Sequence, residues 1–163
     1  MIPELGMRDL EEADLDWVAD QEQIIFGPAA WSAALIREDF RYGMKRYRGA
    51  ELDGQLVGYA IYGFDGDAFH LMNLAVVPGA RRAGVGTVLL DDFLAEALRV
   101  GVHAAWLEVA VNNEAALALY RERGFHDVRL RKRYYQPGDI DAVVMKRVVT
   151  EVQAHATGQD AAQ

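Results

Sequence analysis

The sequence contains no cysteine, which excludes disulfides, zinc–thiolate sites and a catalytic thiol supplied by the chain. It also lacks any apolar run near the ~20 residues that span a bilayer, so no membrane association is expected. The start, MIPELGMRDLEEADLD, is acidic and has none of the basic-then-apolar order of a signal peptide. Positive charge is scarce: 17 Lys plus Arg against 25 Asp plus Glu give a formal net charge of −8, which argues against direct nucleic-acid binding. His70, His103, His126 and His155 are scattered without metal-ligand spacing, so no metal is expected. What is present, 52% hydrophobic and 26% charged residues over 163 positions, is the balance of one globular domain with a sizeable core. A soluble, cytoplasmic protein is the expectation.

Residues 1–150 read as one domain. The stretch EVQAHATGQDAAQ, 151–163, turns small and polar with almost nothing to bury, and is expected to be a disordered tail. Within the domain, Leu15, Val18 and Glu22 fall near helical spacing, and Ser32 can N-cap a second helix to about Tyr42. Asp53-Gly54 between Tyr47–Leu52 and Gln55–Phe64 is a strong hairpin signal. A strand over Phe69–Val77 leads to an amphipathic helix over Val85–Arg99, closed by Gly101. The strand Ala104–Val111 precedes a helix Glu114–Arg123 with an N-cap at Asn112-Asn113. Strands Phe125–Lys132 and Ala142–Val148 flank a loop RYYQPGDID. The order β-α-α-β-β-β-α-β-α-β-β predicts an α/β (α+β) layer of about seven strands and four helices.

Three groups of residues could carry chemistry. Arg81-Arg82-Ala83-Gly84-Val85-Gly86 lies between a strand and a helix, where glycines admit a close ligand and the helix N-terminus offers N–H groups to an anion such as a pyrophosphate. Its spacing differs from the dinucleotide fingerprint and from the lysine-bearing P-loop, which disfavours NAD and ATP. Glu108 interrupts an otherwise apolar strand; a carboxyl group in such surroundings gains a pKa nearer neutrality, which suits a general base, unless alternation turns it to solvent. Asn113 reads as an N-cap, and Tyr120 as a core residue with its hydroxyl at the rim. Tyr134-Tyr135, beside Pro137-Gly138, is an aromatic pair suited either to recognition or to packing over a sheet end.

In their order along the chain these segments resemble the GNAT N-acetyltransferase superfamily, and more closely the bacterial ribosomal-protein-alanine N-acetyltransferases. The resemblance runs to about Val148. It is carried by AWS at Ala30–Ser32, NLAVVPGARRAGVG at Asn73–Gly86, WLEV at Trp106–Val109, NNEAALALY at Asn112–Tyr120, RGF at Arg123–Phe125, RKRYY at Arg131–Tyr135 and DAVVM at Asp141–Met145. The resemblance implies the GNAT fold and acetyl-CoA as cosubstrate. It implies that Leu74, Ala75 and Val76 meet the acetyl and pantetheine portion. Arg82, Ala83, Gly84, Val85, Gly86 and Thr87 would form the pyrophosphate loop, with Asn113 a further contact. Glu108 would be the general base and Tyr120 the acid toward the sulfur, while Trp31, Tyr134 and Tyr135 would face the acceptor. Two departures lie on the acceptor side: Ala30-Trp31 replaces the usual Pro-Trp, and Gly138–Ala142 differs locally.

The expected function is acetyl transfer from acetyl-CoA to the α-amine of a protein N-terminus, with a ribosomal protein alanine as acceptor. Direct attack in a ternary complex is the simplest route for a chain without cysteine. Acetylation of a lysine or polyamine, or a CoA-binding scaffold in a translation-linked complex, are the alternatives. A phenol of pKa ~10 is a weaker acid than a thiol of ~8.5, so Tyr120 either protonates the leaving sulfur uphill or only hydrogen-bonds it.

Overall fold

Local chemistry sets most element ends. The computed structural model describes residues 4–149; the expected tail at 151–163 lies outside them. Strand β1 (Leu5–Asp9) leads to helix α1 (Leu15–Phe26) and helix α2 (Ala33–Tyr42). Ser32 caps α2 by accepting a 3.1 Å hydrogen bond from the Leu35 N–H, and left-handed Gly43 (φ 78°) ends it. The strands β2 (Lys45–Leu52) and β3 (Gln55–Asp65) form the hairpin around Asp53-Gly54, followed by β4 (Ala68–Val76). Helix α3 (Val85–Val100) starts at Gly84 and ends at Gly101, both left-handed. Strand β5 (Ala104–Ala110), helix α4 (Glu114–Glu122) and strands β6 (His126–Tyr135) and β7 (Ile140–Val148) complete the chain. This is the α/β arrangement of seven strands and four α-helices that the element order leads one to expect.

The sheet order is β1-β2-β3-β4-β5-β7-β6. Neighbours are antiparallel except β4 and β5, which are parallel and pair only at Phe69–Ala105, His70–Trp106 and Leu71–Leu107. Beyond Leu71 and Leu107 the two strands part. One expectation needs correction: Tyr134 and Tyr135 do not sit in a loop but end β6, with Tyr135 opposite Ile140. An irregularity between Arg131 and Tyr135 lets the strand continue past Lys132, so the turn contracts to 136–139.

Helices cover both faces. On one, Val85, Leu89, Leu90, Phe93 and Ala97 of α3 and Leu117 and Tyr120 of α4 pack on Tyr62, Phe69, Leu71 and Leu107. On the other, Leu15 and Val18 of α1 and Ile36 of α2 meet Tyr47, Tyr59, Ile61 and Ala75. Arg48 of β2 is tied to Asp92 of α3 by two 3.0 Å bonds, and the Tyr62 hydroxyl donates to Asp92 at 2.7 Å.

A bulge in β4 redirects its side chains. Ile61 faces Asn73 and Tyr62 faces Leu71, which leaves Met72 as the extra residue. Before it, Phe69 and Leu71 face α3; after it, Leu74 and Val76 do so, while Met72 and Ala75 turn to the α1 face. Without the extra residue Asn73 would point at α3.

The packing of β3 under α3 makes Gly58 the tightest test of this arrangement. A Cβ there would stand 2.9 Å from the Ala75 carbonyl oxygen, 3.0 Å from Val85 and 3.1 Å from Leu89, whereas a Cβ at Gly6 meets nothing within 4 Å. Gly58→Ala should therefore lower stability by about 1–3 kcal/mol through overpacking, and Gly6→Ala should change it by no more than about 0.5 kcal/mol. Chemical denaturation of both variants checks this; equal midpoints would contradict it.

Candidate active site

The parting of β4 from β5 opens a cleft of about 1020 Å³. Its β4 wall has a definite polarity. The Val77 N–H donates to the Val57 carbonyl at 2.8 Å, so by antiparallel alternation the N–H and C=O of Leu74 and Val76 point away from β3. They point to where β5 has left. Leu74, Ala75 and Val76 all line the cleft.

One end of the cleft is made by the start of α3. Arg81, Arg82, Gly84, Val85, Gly86 and Thr87 line it; Ala83 does not. Arg82 (φ 71°) and Gly84 (φ 81°) are both left-handed, which folds the loop back so that it runs straight into the helix. No side chain caps α3, and its first-turn N–H groups have no intrahelical acceptors. With two exposed arginines beside them, they suit a doubly charged phosphate group. The donor set thus fits a pyrophosphate. Asn113 also lines the cleft, and its Oδ1 accepts the Ala116 N–H at 3.2 Å as the N-cap of α4.

The centre is built on β5. Glu108 keeps only 12% of its side chain exposed, and its Oε1 accepts from Arg131 Nη1 at 2.9 Å. His70 Nε2 of β4 stands 4.0 Å from the same oxygen. Burial holds the His70 pKa below its usual value against the charges of Glu108 and Asp65, with Arg131 also lowering it. Arg131 stacks over the Tyr134 ring at 4.3 Å, and Tyr134 meets Tyr135 edge-on at 4.9 Å. Tyr135 lines the cleft; Tyr134 lies outside it and is 41% exposed. Tyr120 is buried at the wall, edge-on to Phe125 at 6.1 Å, and burial pushes its hydroxyl pKa up. Trp31 lines the far side and packs with the core under α1 and α2.

The sequence positions singled out for chemistry therefore converge on one cleft, apart from Ala83 and Tyr134. Four partners escaped sequence reasoning. His70 comes to Glu108 from the adjacent β4 and Arg131 from β6, across β7, and only the sheet order reveals this. Glu22 and Asn73 are the others. Glu22 sits at helical spacing with Leu15 and Val18, is fully buried, and lines the cleft. Asn73 Nδ2 donates to its Oε1. The Tyr59 hydroxyl is near enough to feel the carboxylate's charge, yet neither it nor Glu22 Oε2 has a partner with hydrogen-bond geometry. Desolvation pushes Glu22 up to about 7, against the opposing pull of the nearby Tyr59 hydroxyl and of the Asn73 amide.

Comparison with known proteins bears on this cleft. The Acetyltransferase (GNAT) family model matches residues 8–125. An uncharacterized protein of Mycobacterium leprae is 38% identical over 143 residues, 85% of this chain; the chain spans only 39% of that protein's length. N-alpha-acetyltransferase RimI of Mycobacterium tuberculosis is 37% identical over 143 residues, covering 85% of this chain and 89% of that one. The crystal structure of the ribosomal-protein-S18-alanine N-acetyltransferase from Escherichia coli matches with a TM-score of 0.76 at 30% identity, over 90% of this chain and 94% of that one.

The raised pKa of Glu22 has a thermodynamic consequence. Free glutamate titrates near 4.3, so between there and about 7 the folded protein keeps a proton that the unfolded chain has lost. Stability is then full below about pH 4.3 and falls as pH rises to about 7, by about 3 kcal/mol. Glu22→Gln removes this fall. Denaturation curves should favour the variant over wild type more strongly at pH 8 than at pH 5; a constant difference across that range would show that Glu22 titrates normally.

Proposed function

The chain belongs to the GNAT acetyltransferase family and is an acetyl-CoA-dependent N-acetyltransferase, and from that premise we propose that it acetylates the α-amine of a protein N-terminus, an alanine of a ribosomal protein, by direct attack in a ternary complex. The observation that carries this is the convergence of Glu108, Tyr120 and Tyr135 on the cleft between β4 and β5, with His70 4.0 Å from the Glu108 carboxylate. The acceptor class is supported by the names of the relatives from Mycobacterium tuberculosis and Escherichia coli.

Acetyl-CoA supplies a thioester whose carbonyl carbon is the electrophile and whose sulfur leaves. The chain's own groups do everything else. The first-turn N–H groups of α3 and Arg82 hold the pyrophosphate, Val85, Gly86 and Thr87 supplying the backbone and Asn113 a contact from across the cleft. The Leu74 N–H, aimed into the gap, donates to the carbonyl oxygen as negative charge gathers there. Trp31 and Tyr135 flank the acceptor, and Tyr134, stacked under Arg131, braces that side. Glu108 accepts the ammonium proton, directly or through one water, before the nitrogen–carbon bond forms and the carbon–sulfur bond breaks; the second nitrogen proton, shed as the amide forms, goes to the departing CoA thiolate or to solvent. Neutral His70 offers the first proton a way onward to solvent. Tyr120 donates a hydrogen bond to the departing sulfur. Its pKa, raised by burial above ~10, lies further from a thiol's ~8.5 than a free phenol's does, so full proton transfer from it is uphill.

The energetics of deprotonation favour an N-terminus over lysine. At pH 7 freeing an α-amine of pKa 7.7–8.0 costs about 1 kcal/mol, and freeing a lysine of pKa ~10.4 costs about 4–5 kcal/mol. One carboxylate already shared with Arg131 suits the smaller task.

Peptides with a free alanine first residue should be acetylated with kcat/KM at least about 10-fold above N-acetylated copies that carry an internal lysine, given the ~3–4 kcal/mol difference in deprotonation. Comparable values on the two sets would instead support lysine acetylation. In the same assay Glu108→Gln should lower kcat/KM by about 10²–10⁴, the range for loss of a general base. A loss under threefold would make Glu108 a structural residue.

A further inference from the structure

The acetyl-transfer reading leaves one buried ionisable group of the cleft without a task. Glu22 projects from α1 with no exposed surface, on the same stripe as Leu15 and Val18. No arginine or lysine pairs with it among the described residues. A leucine or methionine there would pack against α1's apolar neighbours without the desolvation that a carboxyl group incurs. Its Oε2 and the facing Tyr59 hydroxyl are both buried and unpartnered, which is not the pattern of a group kept for stability.

What Glu22 does hold is Asn73, and that contact depends on the bulge at Met72, which turns Asn73 toward α1. The contact lies at a weak point of the sheet. Past Leu71, β4 has β3 on one side and the open cleft on the other. Leu74, the residue after Asn73, carries the N–H that points into that opening. Such a donor stabilises developing charge only if it stays in place, and displacements of about 1 Å cost on the order of 10²-fold in rate.

We propose that Glu22 is a positioning residue for acetyl transfer: from α1 it grips the Asn73 side chain and so fixes the β4 backbone where Leu74 presents its N–H to the reacting carbonyl. This rests on the reading of the cleft as the acetyl-transfer site. The role requires an acceptor for the Asn73 amide, not a negative charge. Glutamine can supply that acceptor; leucine fills the space and cannot.

Two readouts separate this role from a structural one and from the functional reading beneath it. The first is amide hydrogen exchange of residues 72–76 in the free protein, which needs no turnover. Glu22→Leu should raise exchange there about 10-fold or more, a local-opening change, with the melting temperature unchanged or higher, and Glu22→Gln should keep wild-type protection. The second is steady-state kinetics on the alanine peptide. Glu22→Leu should lower kcat about 10-fold or more with both KM values within about threefold, as expected when an interaction made only in the transition state is lost, while Glu22→Gln stays within about threefold of wild type. Asn73→Ala should reproduce the leucine variant, and the double variant should be no worse than either single one. Unchanged exchange in Glu22→Leu would overturn the proposal whatever the substrate proves to be. So would a kcat within twofold of wild type, or glutamine as damaging as leucine. Wild-type protein that shows the expected exchange but no turnover of the alanine peptide would count against the acceptor reading alone.

Discussion

Three residue pairs hold β4 to β5, from Phe69–Ala105 to Leu71–Leu107, and everything that follows depends on their being so few. Both strands continue past the last pair, and each remains anchored by its other neighbour: β4 by β3, and β5 by β7 as far as Ala110 opposite Ala142. The strands can therefore diverge without either losing its place in the sheet. The divergence leaves backbone donors of β4 facing a cavity instead of a partner strand, an arrangement that buried backbone tolerates only where a ligand or water completes it. Glu108 falls one residue beyond the last pair, so the strand that abandons β4 also delivers the carboxylate to the gap.

Charge around the gap is distributed by burial as much as by pairing. Arg131 reaches Glu108 from the exposed face of β6, while His70 is desolvated and held neutral beside it. Tyr120, deep in the wall, is a poorer acid than a free phenol. The cleft thus offers one carboxylate and one buried hydroxyl that holds its proton tightly. That asymmetry suits an amine that needs little help to lose its proton and a thiolate that leaves readily without one. The two helix-borne contributions differ in kind. The α3 start offers fixed backbone donors whose geometry is set by Arg82 and Gly84, whereas α1 brings side chains to the cleft, among them the ionisable Glu22.

Much of this was legible in the sequence because it is encoded locally. Ser32, Asp53-Gly54, Gly84, Gly101 and Asn113 each impose a cap or turn through their own chemistry, and the elements they bound fall within a few residues of expectation. The cleft-lining residues Leu74–Val76, Arg82, Gly84–Thr87, Glu108 and Tyr120 lie in contiguous segments with their own patterns. What the sequence could not convey depends on pairing at a distance. The approach of His70 and Arg131 to Glu108 follows from β4 and β6 flanking the β5–β7 pair. The task of Glu22 follows from a one-residue bulge in β4, which leaves no trace in hydrophobic alternation beyond the run Leu71-Met72. The extension of β6 through Tyr135 was hidden because Pro137-Gly138 reads as the end of a longer loop. At Glu22, spacing identified the helix face correctly and gave no hint that a carboxyl group on it serves the site.

If acetyl transfer proceeds as proposed, the gap between β4 and β5 receives both reactants at once. Binding a conjugate in which the sulfur of CoA is joined through an acetyl bridge to the α-amine of an alanine peptide tests it most directly, by a crystal structure of that complex. The account predicts the bridge carbonyl within hydrogen-bond distance, about 2.7–3.2 Å, of the Leu74 N–H, the pyrophosphate on the first turn of α3, and the peptide leaving past Trp31 and Tyr135 with Glu108 beside the nitrogen. A conjugate bound with its pyrophosphate away from α3, or with the bridge outside the β4–β5 gap, would contradict it.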